Sequence, residues 1–551
     1  MDFDHIVVGG GSAGAVVAAR LSEDGCRRVL LLEAGDDHPD AASTPVKLLR
    51  PQEPVTRGHN WSFPARLREQ ELREQVTQAQ ALFGAAAGSE KLALARTAVS
   101  ALVSGSRALT HFDYPMGKVI GGSSSVNGAL ALRATPEDFD EWVAWAGPEW
   151  RWDHALEVFR AIESDQDVQA PYSGCAGPVP VARVPETDLH PLQRDFMAVC
   201  RQAGYATADP NDPYATGVGR VPRNVHAGQR VSTALAYLAP ARARRNLVIV
   251  PRTTVVRLLM HGGRVTGVMA LRDGAPAHYQ APHVVLCAGA IQTPALLLRS
   301  GIGAADALAR LDIEPVADLP GVGRNLCDHA AVGIWAVPHE GSCALGEDVH
   351  QAMLRCTSST GRWRNDLQVY MLNSVRTALF PDLETALGSP IAMAVSAMLA
   401  KPLSRGSVEI TSRDAMQAPR VTLNLATDPA DMARLMEGVR LAWQLMRSGD
   451  LQRHVARIFA WNARIIEDDR LLRQAITSFA RGSWHPVGTA RMGSSGDPMA
   501  VVDPHCALLG CRGVHVADAS VMPTIPRAPT NLTCILIGER VARWILEPVH
   551  A

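Results

Sequence analysis

The chain has 551 residues, enough for two large domains or three to four average ones, which excludes a peptide or a lone binding module. Hydrophobic residues make up 47% and charged residues 20%, the balance of a globular chain with a sizeable core rather than a disordered or fibrous one. Lys and Arg total 54 against 55 Asp and Glu, a formal charge of -1 with no long block of one sign, so no basic footprint points to nucleic acid.

In chain order, His5-Ile6-Val7-Val8 reads as a short buried strand, Gly9 to Gly14 as a glycine turn, residues 15–21 as helix, and 29–32 as a second strand followed by Glu33. This is a β-α-β unit. Residues 65–110 are rich in Ala, Leu, Gln and charge with helical spacing (Leu92, Ala95, Val99, Leu102, Val103), and they read as a helical lid or a surface hairpin. Residues 247–250, 284–287 and 514–517 repeat the buried-strand text, so one sheet is expected from distant pieces. The stretch 331–480 mixes strands at 366–370 and 407–411 with amphipathic helical text, as in a second domain inserted into the first. The ten cysteines show no CxxC pair and no zinc spacing; they read as reduced, mostly buried thiols, and no metal is expected. With no basic or apolar leader and no run of 18 apolar residues, a cytoplasmic protein without a membrane span is expected.

The turn Gly9-x-Gly11-x-x-Gly14 lies between strand and helix, where bare backbone can approach a pyrophosphate and the helix N-terminus favours negative charge. Glu33, nineteen residues beyond Gly14, is placed to accept hydrogen bonds from ribose hydroxyls. Together these features point to dinucleotide binding in a Rossmann-like unit. Gly217-Val218-Gly219 and Gly321-Val322-Gly323 both lack a third glycine, so one dinucleotide is implied, reduced directly by an organic substrate.

Two longer segments carry a resemblance. Gly117-Lys118-Val119-Ile120-Gly121-Gly122-Ser123-Ser124-Ser125-Val126-Asn127 and Gly289-Ala290-Ile291-Gln292-Thr293-Pro294, continuing to Ser300-Gly301-Ile302-Gly303, resemble the two signatures of the glucose-methanol-choline (GMC) family of FAD-dependent oxidoreductases. The similarity continues through Leu319-Pro320-Gly321-Val322-Gly323-Arg324-Asn325-Leu326, His485-Pro486-Val487-Gly488-Thr489 and Asp518-Ala519-Ser520, and it covers nearly the whole chain. It is strongest towards bacterial hydroxymethylfurfural-oxidase-like and choline-dehydrogenase-like members.

The resemblance implies an α/β fold: a Rossmann-like FAD-binding domain from 1–145, 215–330 and 481–551, and a substrate-binding domain of antiparallel sheet plus helices from 146–214 and 331–480. FAD would be held around the turn by Gly9, Gly11, Ser12, Ala13, Gly14, Glu33 and Ala34, and in the first signature by Gly121, Gly122, Ser123, Asn127 and Gly128. Val255 and Ala288 join it from the middle of the chain, with Asp518, Ala519, Pro529, Thr530 and Asn531 from the end. Gly121 and Gly122 followed by three serines give a backbone that can lie against a flat ring and donate small hydrogen bonds. Relatives that tether FAD covalently do so through a histidine just before the Asn of this loop; Val126 stands there, which implies non-covalent FAD.

By the same resemblance His485, in Ser483-Trp484-His485-Pro486, is the base facing flavin N5; it takes the substrate hydroxyl proton as hydride leaves carbon, which requires a neutral imidazole. Trp484 reads either as a wall of the substrate pocket or as core packing. The sequence departs from the family at Pro529, ten residues before Glu539, where relatives carry a His or Asn paired with the base. Proline offers no side-chain donor or acceptor, and it reads as opening the last helix from its first turn, beside the substrate. Asn531 or a residue of the inserted domain is the candidate for the missing catalytic contact; a substrate other than a simple alcohol, or a slow enzyme, would account for it equally. The expected activity is oxidation of a primary or secondary alcohol, aromatic or aliphatic, to the aldehyde or ketone, with oxygen, a quinone or another carrier as electron acceptor. An FAD-containing lyase of the hydroxynitrile lyase type and a redox-silent flavin-binding relative are the alternatives.

Overall fold

The computed structural model describes residues 3–68, 112–359, 362–379 and 381–547, so nearly all of the segment read as a lid at 65–110 lies outside the described residues. β1 (His5–Val8), α1 (Gly14–Leu21) and β2 (Val29–Leu32) form as read. They nucleate a five-stranded parallel sheet in the order Leu247–Val250, β2, β1, His283–Leu286, Val514–Val516. Every residue of β1 and β2 is buried, because a central parallel strand is covered on both faces; hence the apolar runs Ile6-Val7-Val8 and Val29-Leu30-Leu31-Leu32.

The turn after β1 depends on glycine twice. Gly9 has φ +98°, and a Cβ on Gly14 would stand 1.9 Å from the Gly9 carbonyl oxygen, so α1 can start directly under the turn only with glycine there. The C-terminal helix Asn531–Leu546 presses on the same turn, since a Cβ on Gly538 would lie 2.8 Å from Ala13 O. That helix corrects one expectation. Its first helical bond runs from Cys534 N to Thr530 O (2.9 Å), so Pro529 precedes the helix instead of occupying its first turn.

The second layer is an antiparallel sheet in the order Val455–Ile458, Ala330–Pro338, Ile391–Leu399, Leu367–Arg376, Ala352–Cys356, Gly217–Arg220. The last strand comes from the segment beginning at 215, which the sequence placed with the FAD-binding part. Strands alternate their faces. Val332, Ile334 and Ala336 bury their side chains in a core with the helix Pro429–Met446, whereas Ala331, Gly333 and Trp335 line a cavity. That helix starts as the sequence signals, with Pro429 in its first turn and the Asp428 carboxylate accepting from Ala430 N at 2.8 Å. All ten cysteines are unpaired, and seven of them are buried.

Candidate active site

A cavity of about 1700 Å³ lies between the two sheets. Val8 and Leu32, at the carboxyl ends of β1 and β2, line it on one side; Tyr370, Ser396 and Trp335 of the antiparallel sheet line it on the other. The glycine turn opens onto it. The amides of Gly11, Ser12 and Ala13 donate to no acceptor among the described residues, and a Cβ on Gly11 would meet only Gly122 Cα, at 3.8 Å. A bare backbone with free N–H groups at a helix N-terminus fits a pyrophosphate. Glu33 is buried beside it, with Oε2 accepting from Gly10 N and Oε1 from Gly35 N, both at 2.8 Å. Burial pushes its carboxyl up to about 7 against the pull of these two amides.

Across from the turn, Gly121 (φ +90°) and Gly122 (φ +53°) bring the first signature against Gly11, where a Cβ on Gly122 would stand 2.6 Å from Gly11 Cα. Only Ser123 of the three serines reaches the cavity. Ser125 Oγ donates to Ile120 O (3.1 Å) and Ser124 Oγ is paired with Thr233 Oγ1 (3.0 Å), so both serve the loop rather than a bound ring. Asn127 lines the cavity while its Oδ1 accepts from Ala129 N and Arg230 Nη1, and Val126 stands beside it. Asp518 is buried, its Oδ2 accepting from Gly289 N (2.8 Å) and Thr293 Oγ1 (2.6 Å), which fixes the helix Gly289–Arg299 at the cavity wall. Ala34, Gly128, Val255, Ala288, Ala519 and Thr530 line the cavity too, whereas Gly14 and Gly121 lie behind its wall.

His485 reaches the cavity from the chain that leaves the antiparallel sheet. Arg481 and Gly482 pair with Ala331 and Ala330, and Val487 pairs with Cys327, so the backbone at 481–487 runs antiparallel to 327–331. A Cβ at Gly482 would stand 2.3 Å from Asp328 Oδ2, so a larger residue here would push that carboxylate aside. Trp484 lines the cavity in a left-handed conformation (φ +62°), the backbone strain found where a site dictates the chain path. The His485 amide donates to Asp328 Oδ1 (3.0 Å), whose Oδ2 accepts from Tyr114 OH (2.6 Å). Nδ1 of His485 lies 3.0 Å from Nδ1 of His329, and Nε2 of His329 lies 3.0 Å from Pro526 O. Burial, reinforced by His329, holds the His485 imidazole well below its ordinary range, and burial pushes His329 down to about 4. Both rings are neutral at neutral pH.

Pro529 lines the cavity, so position 529 presents only an apolar ring. Asn531 also lines it, but its side chain is committed elsewhere: Oδ1 accepts from Ser12 Oγ (2.8 Å) and Nδ2 donates to Asn224 Oδ1 (3.2 Å). It ties the C-terminal helix to the glycine turn rather than to His485. Sequence reasoning missed His329, the second residue of the Asp328-His329 pair that follows Cys327 at the end of the segment 319–326 that carried the resemblance. It also missed His350, which lines the cavity against Tyr370 (ring centroids 6.2 Å apart) and makes no hydrogen bond among the described residues. Burial pushes His350 down to about 4, leaving a neutral imidazole open to the cavity.

The family profile described as GMC oxidoreductase matches residues 3–331 with its N-terminal part and 402–538 with its C-terminal part. The chain belongs to the GMC oxidoreductase family. The 5-(hydroxymethyl)furfural oxidase of Methylovorus sp. is 33% identical to this GMC oxidoreductase over 99% of this chain and 98% of its own length. The oxygen-dependent choline dehydrogenase of Paraburkholderia xenovorans is 32% identical over 98% of this chain and 94% of its own. Among solved structures, pyridoxine 4-oxidase from Mesorbium loti superposes with a TM-score of 0.84 at 27% identity, covering 98% of this chain and 99% of that one. The protein is thus an FAD-dependent GMC oxidoreductase. Among the described residues no His, Cys, Asp or Glu cluster could hold a metal, and no helix is long and apolar enough to cross a membrane.

Proposed function

We propose that this GMC oxidoreductase binds FAD non-covalently and oxidises an alcohol to the aldehyde or ketone, with His485 as the base. The observation that carries this reading is a neutral His485 on the cavity wall whose Nδ1 is taken by His329, leaving Nε2 for a substrate hydroxyl. The parallel-sheet part of the chain holds FAD: amides 11–13 take the pyrophosphate, Glu33 the ribose hydroxyls, and Gly122, Ser123 and Val126 the ring system. Bound FAD supplies the hydride acceptor. The chain supplies the proton acceptor at His485 Nε2, and a positioned base of this kind contributes about 10²- to 10⁴-fold. The N-terminus of the C-terminal helix lines the cavity at Thr530 and Asn531, where its dipole favours negative charge. The antiparallel-sheet side receives the substrate among Trp61, Phe63, Trp335, Tyr370, Trp461 and Phe479. Such walls favour a ring-bearing alcohol, and the compounds in the names of two relatives, hydroxymethylfurfural and pyridoxine, are ring alcohols.

Incubation of the holoprotein with aromatic and aliphatic alcohols, under air and with a quinone, tests the activity by carbonyl formation and names the acceptor. A lyase of the hydroxynitrile type is the second reading, because Pro529 puts no side-chain donor or acceptor on the cavity wall where it stands. Cleavage of a cyanohydrin with no alcohol oxidised by either acceptor would establish that reading and reject the proposal.

A further inference from the structure

A neutral imidazole carries one N–H and one lone pair, and which nitrogen holds the hydrogen decides whether it can act as a base at a given point. Two distances fix this for both rings here. His329 Nε2 lies 3.0 Å from Pro526 O, and a carbonyl only accepts, so His329 carries its hydrogen on Nε2. Its Nδ1 then holds a lone pair, and His485 must supply the hydrogen in the 3.0 Å contact between the two Nδ1 atoms. His485 Nε2 is left with the lone pair.

We infer that His329 is a positioning residue that sets the tautomer of His485, with the Pro526 carbonyl as its fixed reference; the inference rests on the reading of His485 as the base. The carbonyl is clamped through both of its neighbours. Lys401 Nζ donates to Ile525 O (2.8 Å) and Thr524 Oγ1 (3.0 Å), and Asp138 Oδ2 accepts from Arg527 N (2.9 Å). Three charged groups lie near the pair: Asp328, Asp138 and Lys401. Asp328, held by Tyr114, accepts from the His485 amide, and Asp138 and Lys401 act on His329 with opposite sign; the ring nitrogens themselves bond to each other and to Pro526 O, not to a carboxylate.

The arrangement also fixes the proton's route. In turnover the substrate O–H bond breaks and the proton joins His485 Nε2, while the Nδ1–H bond to His329 persists and shares the new positive charge. The chain beyond His329 ends on a carbonyl oxygen that cannot relay a proton. The proton therefore returns from Nε2 to the cavity. Tautomer choice alone is worth a factor of a few, but a hydrogen bond to the charged imidazolium is worth about 10- to 100-fold.

Two-bond ¹H–¹⁵N spectra of the ¹⁵N-histidine holoprotein at pH 7.5, with His485 and His329 signals assigned by their loss in His485→Asn and His329→Asn, read the tautomers directly. The inference expects Nδ1–H on His485 and Nε2–H on His329; Nε2–H on His485 overturns it. In anaerobic flavin reduction by an alcohol, His329→Leu should be about 10- to 100-fold slow with an altered acid limb, and His329→Asn, which keeps an acceptor at the δ position, should recover part of the rate. A His329→Leu protein with the parental rate and pH profile overturns the inference. If that variant does not fold, the parental spectrum decides alone. A parental reduction rate in His485→Ala would instead reject His485 as the base, a result the tautomer spectrum cannot mimic.

Discussion

Asp138 is a wholly buried carboxylate in the first turn of the helix Pro136–Ala146, and its replacement by asparagine tests how the loop carrying Pro526 is held. Oδ2 accepts from Thr135 N (3.0 Å) and Arg527 N (2.9 Å), and Oδ1 accepts from Arg527 Nη1 (2.8 Å) and Lys401 Nζ (3.2 Å). Burial alone would raise this carboxyl, but Arg527 and Lys401 bring it from 3.8 down to about 2. A depression of that size contributes about 2 kcal/mol, present above the unfolded value near 4 and lost as pH falls through about 2. Asp138→Asn should cost more, about 3 to 5 kcal/mol, because it leaves Lys401 and Arg527 with Glu141 alone, at 2.8 and 3.5 Å, and an uncompensated buried charge outweighs the net worth of the pair. Thermal unfolding of the holoprotein followed by circular dichroism should show a lower midpoint for the variant at pH 7. The gap should narrow as pH falls from about 4 towards about 2, the range in which the parent gives up its own contribution. Equal midpoints at pH 7, or a gap independent of pH, would show that the Asp138 carboxylate does not hold this loop.

Four further outcomes follow. Acid precipitation should leave FAD in the supernatant, since Val126 cannot tether it; flavin in the pellet would contradict this. Glu33→Gln replaces one of two acceptor oxygens by a donor, stranding the amide of Gly10 or Gly35 at about 1 to 3 kcal/mol, so flavin per protein after gel filtration should fall; full occupancy would remove Glu33 from the site. Gly122→Ala puts a Cβ 2.6 Å from Gly11 Cα at φ +53°, an overpacking of about 1 to 3 kcal/mol that should appear as lost FAD, and retained FAD would show that the loop can yield. His350→Phe should raise KM for the preferred alcohol without lowering flavin content, and an unchanged KM would take His350 out of the substrate site.

The parallel sheet was legible because each of its strands is a short, mainly apolar run bounded by turns, and because the glycines at 9, 11 and 14 announce a turn that nothing else can make. The C-terminal helix was legible in kind but not in its start, since a proline two residues before Asn531 fits either side of a helix boundary. The strand Gly217–Arg220 could not be placed from the sequence: its partner, Ala352–Cys356, lies more than a hundred residues away, and no local pattern encodes that pairing. Ser124 and Ser125 looked like ring contacts because composition does not say which way a hydroxyl turns. His329 escaped notice for the same reason, as its importance comes from the antiparallel pairing of 327–331 with 481–487, which turns two distant imidazoles towards each other.

The claim that matters most is that an alcohol gives up its hydroxyl proton to His485 as the flavin is reduced. Mixing oxygen-free holoprotein with a reactive alcohol and following loss of the flavin band at ~450 nm, for the parent and for His485→Ala at equal FAD content, measures that step. Bleaching is expected in the parent, with one carbonyl product per flavin, and a rate about 10²- to 10⁴-fold lower in the variant. Bleaching at the same rate in both proteins would contradict it.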